Sequence, residues 1–147
     1  MKSLQRSVRL CIAGISLGLA ANAIAQTSVE YTFYNDPFYL SDYVTDPAAV
    51  INKGLKQYEW QVVEQSPGLV QALLDHKGYK LRLNIHYSDS KIWFDEVSAE
   101  NNNCSKKPCE VEQRHIDRWR MGLRRGIAKA ITDEAVKDAY NAVYSNK

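Results

Sequence analysis

Residues 79–87, YKLRLNIHY, decide the fold of this chain of 147 residues. From Tyr79 to Tyr87 every second side chain is apolar or aromatic, and polar or basic side chains occupy the positions between them. A period of two is typical of a β-strand that buries one face and leaves the other in water. The segment therefore predicts a strand in an antiparallel sheet with one polar open face.

The sequence on both sides of this strand predicts two more strands. Residues 69–75 alternate in the same way before a turn at residues 76–78, and a short helix is the alternative interpretation there. Residues 88–91 form a second turn, and residues 92–97 are again rich in apolar and aromatic side chains. Three short strands joined by tight turns predict a three-stranded antiparallel meander.

A helix is predicted on the N-terminal side of the meander. Asp46 followed by Pro47 is typical of a helix start, because Asp caps the first turn and proline fits its first position. Apolar residues then recur every three or four positions to about Glu64, and Gly54 on the same face is expected to allow close packing. The sequence Ser-Pro-Gly at residues 66–68 ends the predicted helix.

A stronger amphipathic helix is predicted after residue 110. Its apolar stripe consists of Ile116, Trp119, Leu123, Ile127 and Ala130. Thr132-Asp133-Glu134 resembles a new N-cap, so a short final helix is expected after it. The apolar stripe of each helix must be buried against another element, and one face of the sheet can bury both. The expected fold is therefore α+β: a helix, a three-stranded antiparallel meander and a long C-terminal amphipathic helix, with both helices packed on one sheet face.

The first 25 residues have the pattern of a secretory signal peptide. Lys2, Arg6 and Arg9 precede an apolar stretch, and Ala23-Ile24-Ala25 is an A-x-A cleavage site. The apolar stretch is shorter than the roughly 20 residues that cross a bilayer. We therefore expect residues 1–25 to be removed, the product to be periplasmic or secreted, and no transmembrane segment to remain after cleavage.

Residues 26–47 form an aromatic and acidic N-terminal arm, and residues 48–147 are expected to form a single α+β domain. Val29, Tyr31 and Phe33 alternate with polar residues, which is strand-like. The arm is either an edge strand or a flexible segment. Its rings are expected to pack on the domain, since aromatic side chains mostly serve burial, and the alternative is an arm that binds a partner.

The charge of the chain changes when the leader is removed. The leader holds three of the 19 basic residues and none of the 17 acidic residues, so 16 basic and 17 acidic residues remain, a net charge of −1. A nearly neutral domain has no overall attraction for nucleic acid or for an anionic membrane. We therefore expect no nucleic-acid partner.

Two cysteines, Cys104 and Cys109, remain after cleavage. In an oxidising compartment this pair predicts a disulfide that closes a short loop. The spacing is not that of a C-x-x-C redox motif. His115 alone cannot complete a tetrahedral metal site with the two thiols. We expect neither a metal ion nor a cofactor.

Basic residues form the main candidate ligand surface. The polar face of the middle strand carries Lys80, Arg82 and His86. The predicted long C-terminal helix carries Arg118 and Arg125. Together they could receive an anionic ligand. The alternative interpretation is a solvated helix face, because acidic residues interleave with the basic ones.

No catalytic set can be assembled from the sequence. Ser88 and Ser90 follow His86, but no serine stands in a G-x-S-x-G elbow. Asp95 and Glu96 are neighbours, and on a strand they would point to opposite faces. The tryptophans at positions 60, 93 and 119 are expected in the core. No catalytic residue is therefore assigned.

The order of these features resembles a family of uncharacterised small secreted or periplasmic proteobacterial proteins, many of them lipid-anchored. The residues that carry the resemblance are Trp60, Pro67-Gly68, Val70, Ala72, Ile85, Tyr87, Ile92, Phe94, Trp119, Leu123 and Ile127. The chain lacks the lipid-attachment cysteine of the anchored members. The resemblance implies an exported location and this fold, and it implies no activity.

The leading functional hypothesis is an exported envelope protein that acts as a non-catalytic binding or accessory module, with another envelope protein as its partner. One alternative is a small periplasmic hydrolase built around His86 or His115. Another is a binder of an anionic ligand or polysaccharide through the basic C-terminal helix. Basic residues on one continuous face favour the binder, whereas a histidine beside an acid in a cleft favours the enzyme.

Overall fold

The computed structural model describes residues 36–105 and 109–144. The expected signal peptide and the strand-like residues 29–33 lie outside these ranges. The described elements, in chain order, are β1 (Phe38–Tyr39), α1 (Pro47–Gln57), β2 (Gln61–Ser66), β3 (Leu69–His76), β4 (Tyr79–Tyr87), β5 (Lys91–Asn101) and α2 (Gln113–Tyr144).

The strands form one antiparallel sheet in the order β1-β5-β4-β3-β2. Alternate side chains of the central strands, such as Leu83 and Ile85, are buried together with Leu55 of α1 and Leu123 of α2. The α+β class and the packing of both helices on one sheet face are confirmed. The expected meander of three strands is too narrow, because β2 and β1 extend the sheet at its two edges.

The first helix ends earlier than the sequence predicts. It was expected to continue to about Glu64, but α1 ends at Gln57 and residues 61–66 form β2. Trp60 donates its backbone N–H to the carbonyl oxygen of Leu55 at 3.1 Å, as in a Schellman motif, and Glu59 before it has a φ of 61°. Glycine usually occupies that left-handed position. Because Glu59 stands there instead, the sequence carries no visible stop signal.

The start of α1 and its packing agree with the sequence prediction. Asp46 caps the helix, since its Oδ1 accepts a hydrogen bond of 2.9 Å from the backbone N–H of Ala49. A Cβ added at Gly54 would lie 2.7 Å from the backbone nitrogen of Ile127, and one added at Gly126 would lie 2.6 Å from the carbonyl oxygen of Gly54. The two helices therefore cross in backbone contact, and Gly54 allows the close packing expected of it.

Helix α2 runs without a break through the segment that resembled a new N-cap, so the expected separate final helix is wrong. The hydroxyl of Thr132 donates to the carbonyl oxygen of Ala128, 3.0 Å away, within the same helix. Asp133 pairs with Lys53 of α1 at 2.9 Å and with Lys129 at 3.2 Å. The side chains of Thr132 and Asp133 therefore contact these groups and do not cap the backbone amides of a new helix.

The described part of the N-terminal arm packs on the domain. β1 pairs with the start of β5, and the ring of Phe38 meets that of Phe94 edge to face. The buried guanidinium of Arg124 lies 4.3 Å from the Phe38 ring and donates to the carbonyl oxygen of Asp36 at 2.5 Å. Burial lowers the pKa of Arg124, while the charge of Asp36 raises it and that of Arg120 lowers it further. Tyr39 is an exception and points into solvent.

Cys104 and Cys109 form the expected disulfide, with their Cα atoms 6.1 Å apart. The bridge lies between the end of β5 and the start of α2. Within residues 36–105 and 109–144, neither helix has the length and hydrophobicity that a membrane crossing requires.

Candidate ligand-binding site

The five residues of the predicted ligand surface lie in two separate places. Lys80, Arg82 and His86 lie on the sheet face that the helices leave uncovered, because they alternate with the buried side chains of β4. Arg118 and Arg125 lie on α2, which covers the opposite sheet face. The sheet and helix residues therefore do not form one continuous basic surface.

On the uncovered face, the basic side chains are paired with neighbours on adjacent strands. Arg82 donates to Gln71 at 2.9 Å, and Gln71 donates to Asn84 at 3.1 Å. Lys80 lies 3.6 Å from the carboxylate of Asp75. These contacts run across the strands, as is usual on an open sheet face, and they make Lys80 and Arg82 weak candidates for binding an anion.

His86 is the histidine that lies beside an acid. Its Nε2 is 2.8 Å from Oδ2 of Asp95, at ion-pair distance but without the geometry of a hydrogen bond. Its ring stacks on Trp93 at 5.2 Å, and Lys91 lies 4.8 Å from the centre of that indole. Trp93 was expected in the core and instead lies on the uncovered face. None of these residues lines the two cavities that lie against α2.

The larger cavity, of about 430 Å³, lies on the helix side of the sheet. It is enclosed by the turn between α1 and β2, the end of β3 and one face of α2. We call it the basic aromatic cleft. Its lining residues are Gln57, Tyr58, Glu59, Trp60, Leu74, His76, Arg118, Trp119, Gly122 and Arg125.

Local backbone structure places the aromatic side chains of the cleft. The Schellman turn carries Trp60 from the helix into the core, where only 5% of the residue is exposed. A Cβ added at Gly122 would lie 3.1 Å from Cδ1 of Tyr58, so the tyrosine ring rests on a part of α2 that has no side chain. Trp119 is half-buried beside Tyr79 and His115, with ring centres 5.4 and 5.7 Å away. The cleft thus has aromatic walls that are held by packing against their neighbours.

Three charged side chains of the cleft have no ionic partner among the described residues. Arg118 and Arg125 are exposed, and neither makes an ion pair or hydrogen bond with another residue in the described ranges. Glu59 also lies at the cleft, and it too has no ionic partner among the described side chains. Two other arginines of α2 have partners. Arg124 donates a hydrogen bond to the N-terminal arm, and Arg120 lies 4.0 Å from Glu96.

A second groove, of about 420 Å³, continues from the cleft along α2. It is lined by Arg114, Asp117, Arg118, Met121 and Arg125, and so shares two arginines with the cleft. Arg114 pairs with Glu112 at 2.6 Å, and both side chains are mostly exposed. Among the residues that the structure describes, no group of histidine, cysteine and acidic side chains could hold a metal ion.

Comparison with known proteins adds no relative. No protein-family model matches the chain, and no curated protein or solved structure matches it either.

The sequence identified Arg118 and Arg125 but not the aromatic residues between which they lie. Trp119 has apolar neighbours at helical spacing, Ile116 and Leu123, which is the usual pattern of a core residue. The role of Trp60 in the cleft depends on this residue leaving the helix, and Glu59 conceals that turn. The available signal was the spacing of Arg118 and Arg125, which are seven positions apart and therefore share a face of the same helix.

Proposed function

We propose that this protein is an exported, non-catalytic binding module that holds an anionic ring compound in the basic aromatic cleft. The observation that carries the proposal is a pair of arginines, Arg118 and Arg125, that lie at the edge of a cavity with tryptophan and tyrosine walls and have no ionic partner among the described residues.

The two arginines supply the attraction for an anion. A guanidinium group presents several N–H donors in a plane and pairs with carboxylate or phosphate through two parallel hydrogen bonds. Among the exposed arginines of α2, Arg114 pairs with the carboxylate of Glu112. Within residues 36–105 and 109–144, Arg118 and Arg125 have no such carboxylate partner, although Glu59 and Asp117 line the same two cavities. Their donors therefore remain available to an incoming anion.

The aromatic walls supply the second half of the site. Ligand pockets are mostly apolar, with a small number of polar groups that set the orientation of the ligand. The half-buried rings of Tyr58 and Trp119 offer flat surfaces, and Trp60 and Leu74 are the buried residues behind them. A ring compound can stack on such surfaces while its charged substituent reaches the arginines at the rim.

The arrangement of titratable groups supports binding over hydrolysis. Glu59 and His76 both line the cleft, but they are not within ion-pair distance of each other, and no serine or cysteine is among the lining residues. His86 has an acidic neighbour, Asp95, but that pair lies on the uncovered sheet face outside the cavities. A general base needs a reacting group held within hydrogen-bond reach, and His86 lines neither the cleft nor the second groove.

An exported location is consistent with this role. The signal-peptide pattern of residues 1–25 and the disulfide between Cys104 and Cys109 are both typical of proteins of an oxidising compartment. Anionic ring compounds of that compartment include sugar acids and phosphorylated sugars. The partner is then an envelope component that carries such a group, either free or attached to another envelope molecule.

The test uses D-galacturonate and D-galactose, which have the same ring and differ in the carboxylate. Calorimetric titration of the mature protein should show galacturonate binding with a Kd on the order of 1 mM, about −4 kcal/mol, and much weaker galactose binding. Replacing both Arg118 and Arg125 by glutamine should weaken galacturonate binding about tenfold, because two exposed ion pairs contribute roughly 0.7 kcal/mol each.

Arg82→Gln is the matched control, since Arg82 lies on the opposite face of the sheet. It should leave the affinity unchanged. Equal binding of galactose and galacturonate, or equal losses in the Arg82 variant and the double variant, would overturn the proposal.

A further inference from the structure

The basic aromatic cleft and the second groove form one continuous strip along α2. Arg114, Arg118, Met121 and Arg125 follow one another at intervals of four, three and four residues. At 3.6 residues per turn these side chains lie on one helix face. With a rise of 1.5 Å per residue, the strip from Arg114 to Arg125 is about 16 Å long. This is longer than a single sugar ring needs.

We infer that the two cavities are consecutive subsites for one acidic polysaccharide chain. This inference rests on the proposed function, because the same cleft receives one ring of the chain. It adds the second groove as a site and a polymer as the class of ligand.

The shared residues argue for one extended ligand. Arg118 and Arg125 border both cavities, so an anionic group bound by either arginine lies next to the cleft and the groove at once. Two small anions bound separately would compete for these two guanidinium groups. A chain with a charge at intervals avoids the competition, because its successive charged groups can meet successive arginines.

The groove also offers contacts other than charge. Met121 lies between Arg118 and Arg125 and gives a flexible apolar surface for the face of a sugar ring. Arg114 is held by Glu112, but an exposed pair of this kind is weak, so a stronger anion can displace it or share the guanidinium. Asp117 is half-buried in the groove and can accept hydrogen bonds from sugar hydroxyls.

The same carboxylates argue against a nucleic acid as the occupant. Glu59, Glu112 and Asp117 lie in or beside the strip, where each would repel a phosphate backbone. Nucleic-acid sites usually have a large excess of basic residues over the whole domain, and the expected mature chain has a net charge of −1. An acidic glycan has a lower charge density and carries hydroxyl donors that suit the carboxylates.

The test measures affinity as a function of chain length, with oligogalacturonates from the monomer upward. Affinity for the full mature protein should rise with length until the chain spans the roughly 16 Å from Arg114 to Arg125, and then level off. Arg114→Gln should weaken the longer oligomers about two- to fivefold, the usual effect of one exposed ion pair, and leave the monomer unaffected. Arg118→Gln should weaken both.

Arg82→Gln serves again as the control and should change neither. Monomer binding that does not improve with length, or an Arg114→Gln variant that binds every length normally, would overturn the polymer inference while the proposed function stands. No binding of any length would overturn both. Tighter binding of a single-stranded DNA of equal charge would replace the glycan with a nucleic acid.

Discussion

Trp60 donates its backbone N–H to the carbonyl oxygen of Leu55, and this hydrogen bond of 3.1 Å ends α1 and turns an indole ring toward the basic aromatic cleft. Both residues are buried in the core. The apolar contact between these two positions usually accompanies a Schellman motif. One local motif therefore sets the length of a helix, the start of an edge strand and a wall of the candidate site.

Glu59→Gly should stabilise the protein. Glu59 has a φ of 61°, a conformation that costs an ordinary residue about 1–2 kcal/mol and costs glycine little. We expect the free energy of unfolding to rise by only about 0.5–1 kcal/mol, because the greater entropy of glycine in the unfolded chain offsets part of the relieved strain. Lys56→Gly, in the last turn of α1, is the control and should lower it by up to about 1 kcal/mol. Urea titration measures both, and an equal loss in both variants would show that residue 59 is not strained.

Gly126→Ala should destabilise the crossing of the two helices. The new Cβ would lie 2.6 Å from the carbonyl oxygen of Gly54, and that backbone atom cannot move aside cheaply. We expect a loss of about 1–3 kcal/mol in urea titration, typical of overpacking, despite the better helix propensity of alanine. Gly122→Ala faces only the Tyr58 ring, at 3.1 Å, and should be close to neutral. A neutral Gly126→Ala variant would contradict the backbone contact.

Arg124→Met should release the N-terminal arm without removing the side-chain stem. The guanidinium of Arg124 donates to Asp36 and lies over the ring of Phe38. We expect faster hydrogen exchange at the amide of Leu40, which donates to Ser90 at 2.8 Å, and a stability loss of about 1–3 kcal/mol. Arg125→Met is the neighbouring exposed control. Unchanged exchange at Leu40 in the Arg124 variant would show that the arm is held by other contacts.

Stability should depend on the ionisation of Asp133 in acid. Hydrogen bonds from Lys53 and then from Lys129 lower the pKa of Asp133. A carboxylate with a lowered pKa in the folded state stabilises that state above its usual pKa, about 3.9, and the stabilisation is lost as the pH falls through the lowered value. The difference in stability between the protein and its Asp133→Asn variant should therefore be present at pH 5 and shrink toward pH 2. Asp138→Asn is the control, because Asp138 has no ionic partner among the described residues. Its effect on stability should not change over this pH range.

The elements whose residues follow the usual local preferences could be predicted from the sequence. The elements whose ends are set by a residue that departs from those preferences could not. The alternation from Tyr79 to Tyr87 and the Asp46-Pro47 helix start gave the central strand and the start of α1. Glu59 occupies a position where glycine is usual, so the end of α1 and the whole of β2 were missed. Thr132 and Asp133 have the residue types of a cap, and only their contacts with Ala128, Lys53 and Lys129 show that α2 continues.

The candidate site was predicted only in part for a related reason. Arg118 and Arg125 are visible in the sequence as basic residues on a helix, but so are Arg120 and Arg124, which turn inward. Which arginines remain without a partner depends on the position of the sheet and of the arm behind α2. Trp93 was expected in the core because its neighbours are apolar, yet its place in the alternation of β5 puts it on the uncovered face.

The chain carries its own internal control for ligand binding, because Trp60 and Trp119 line the basic aromatic cleft while Trp93 lies across the sheet. The most direct measurement follows the three indole N–H signals in a ¹⁵N–¹H correlation spectrum as galacturonate is added. We expect the signal of Trp119 to shift most and that of Trp60 to shift with it. Trp93 should stay in place, and galactose should move none of the three signals to a similar extent. A shift confined to Trp93, or no shift at concentrations several times the expected Kd, would contradict the assignment of the cleft as the ligand-binding site.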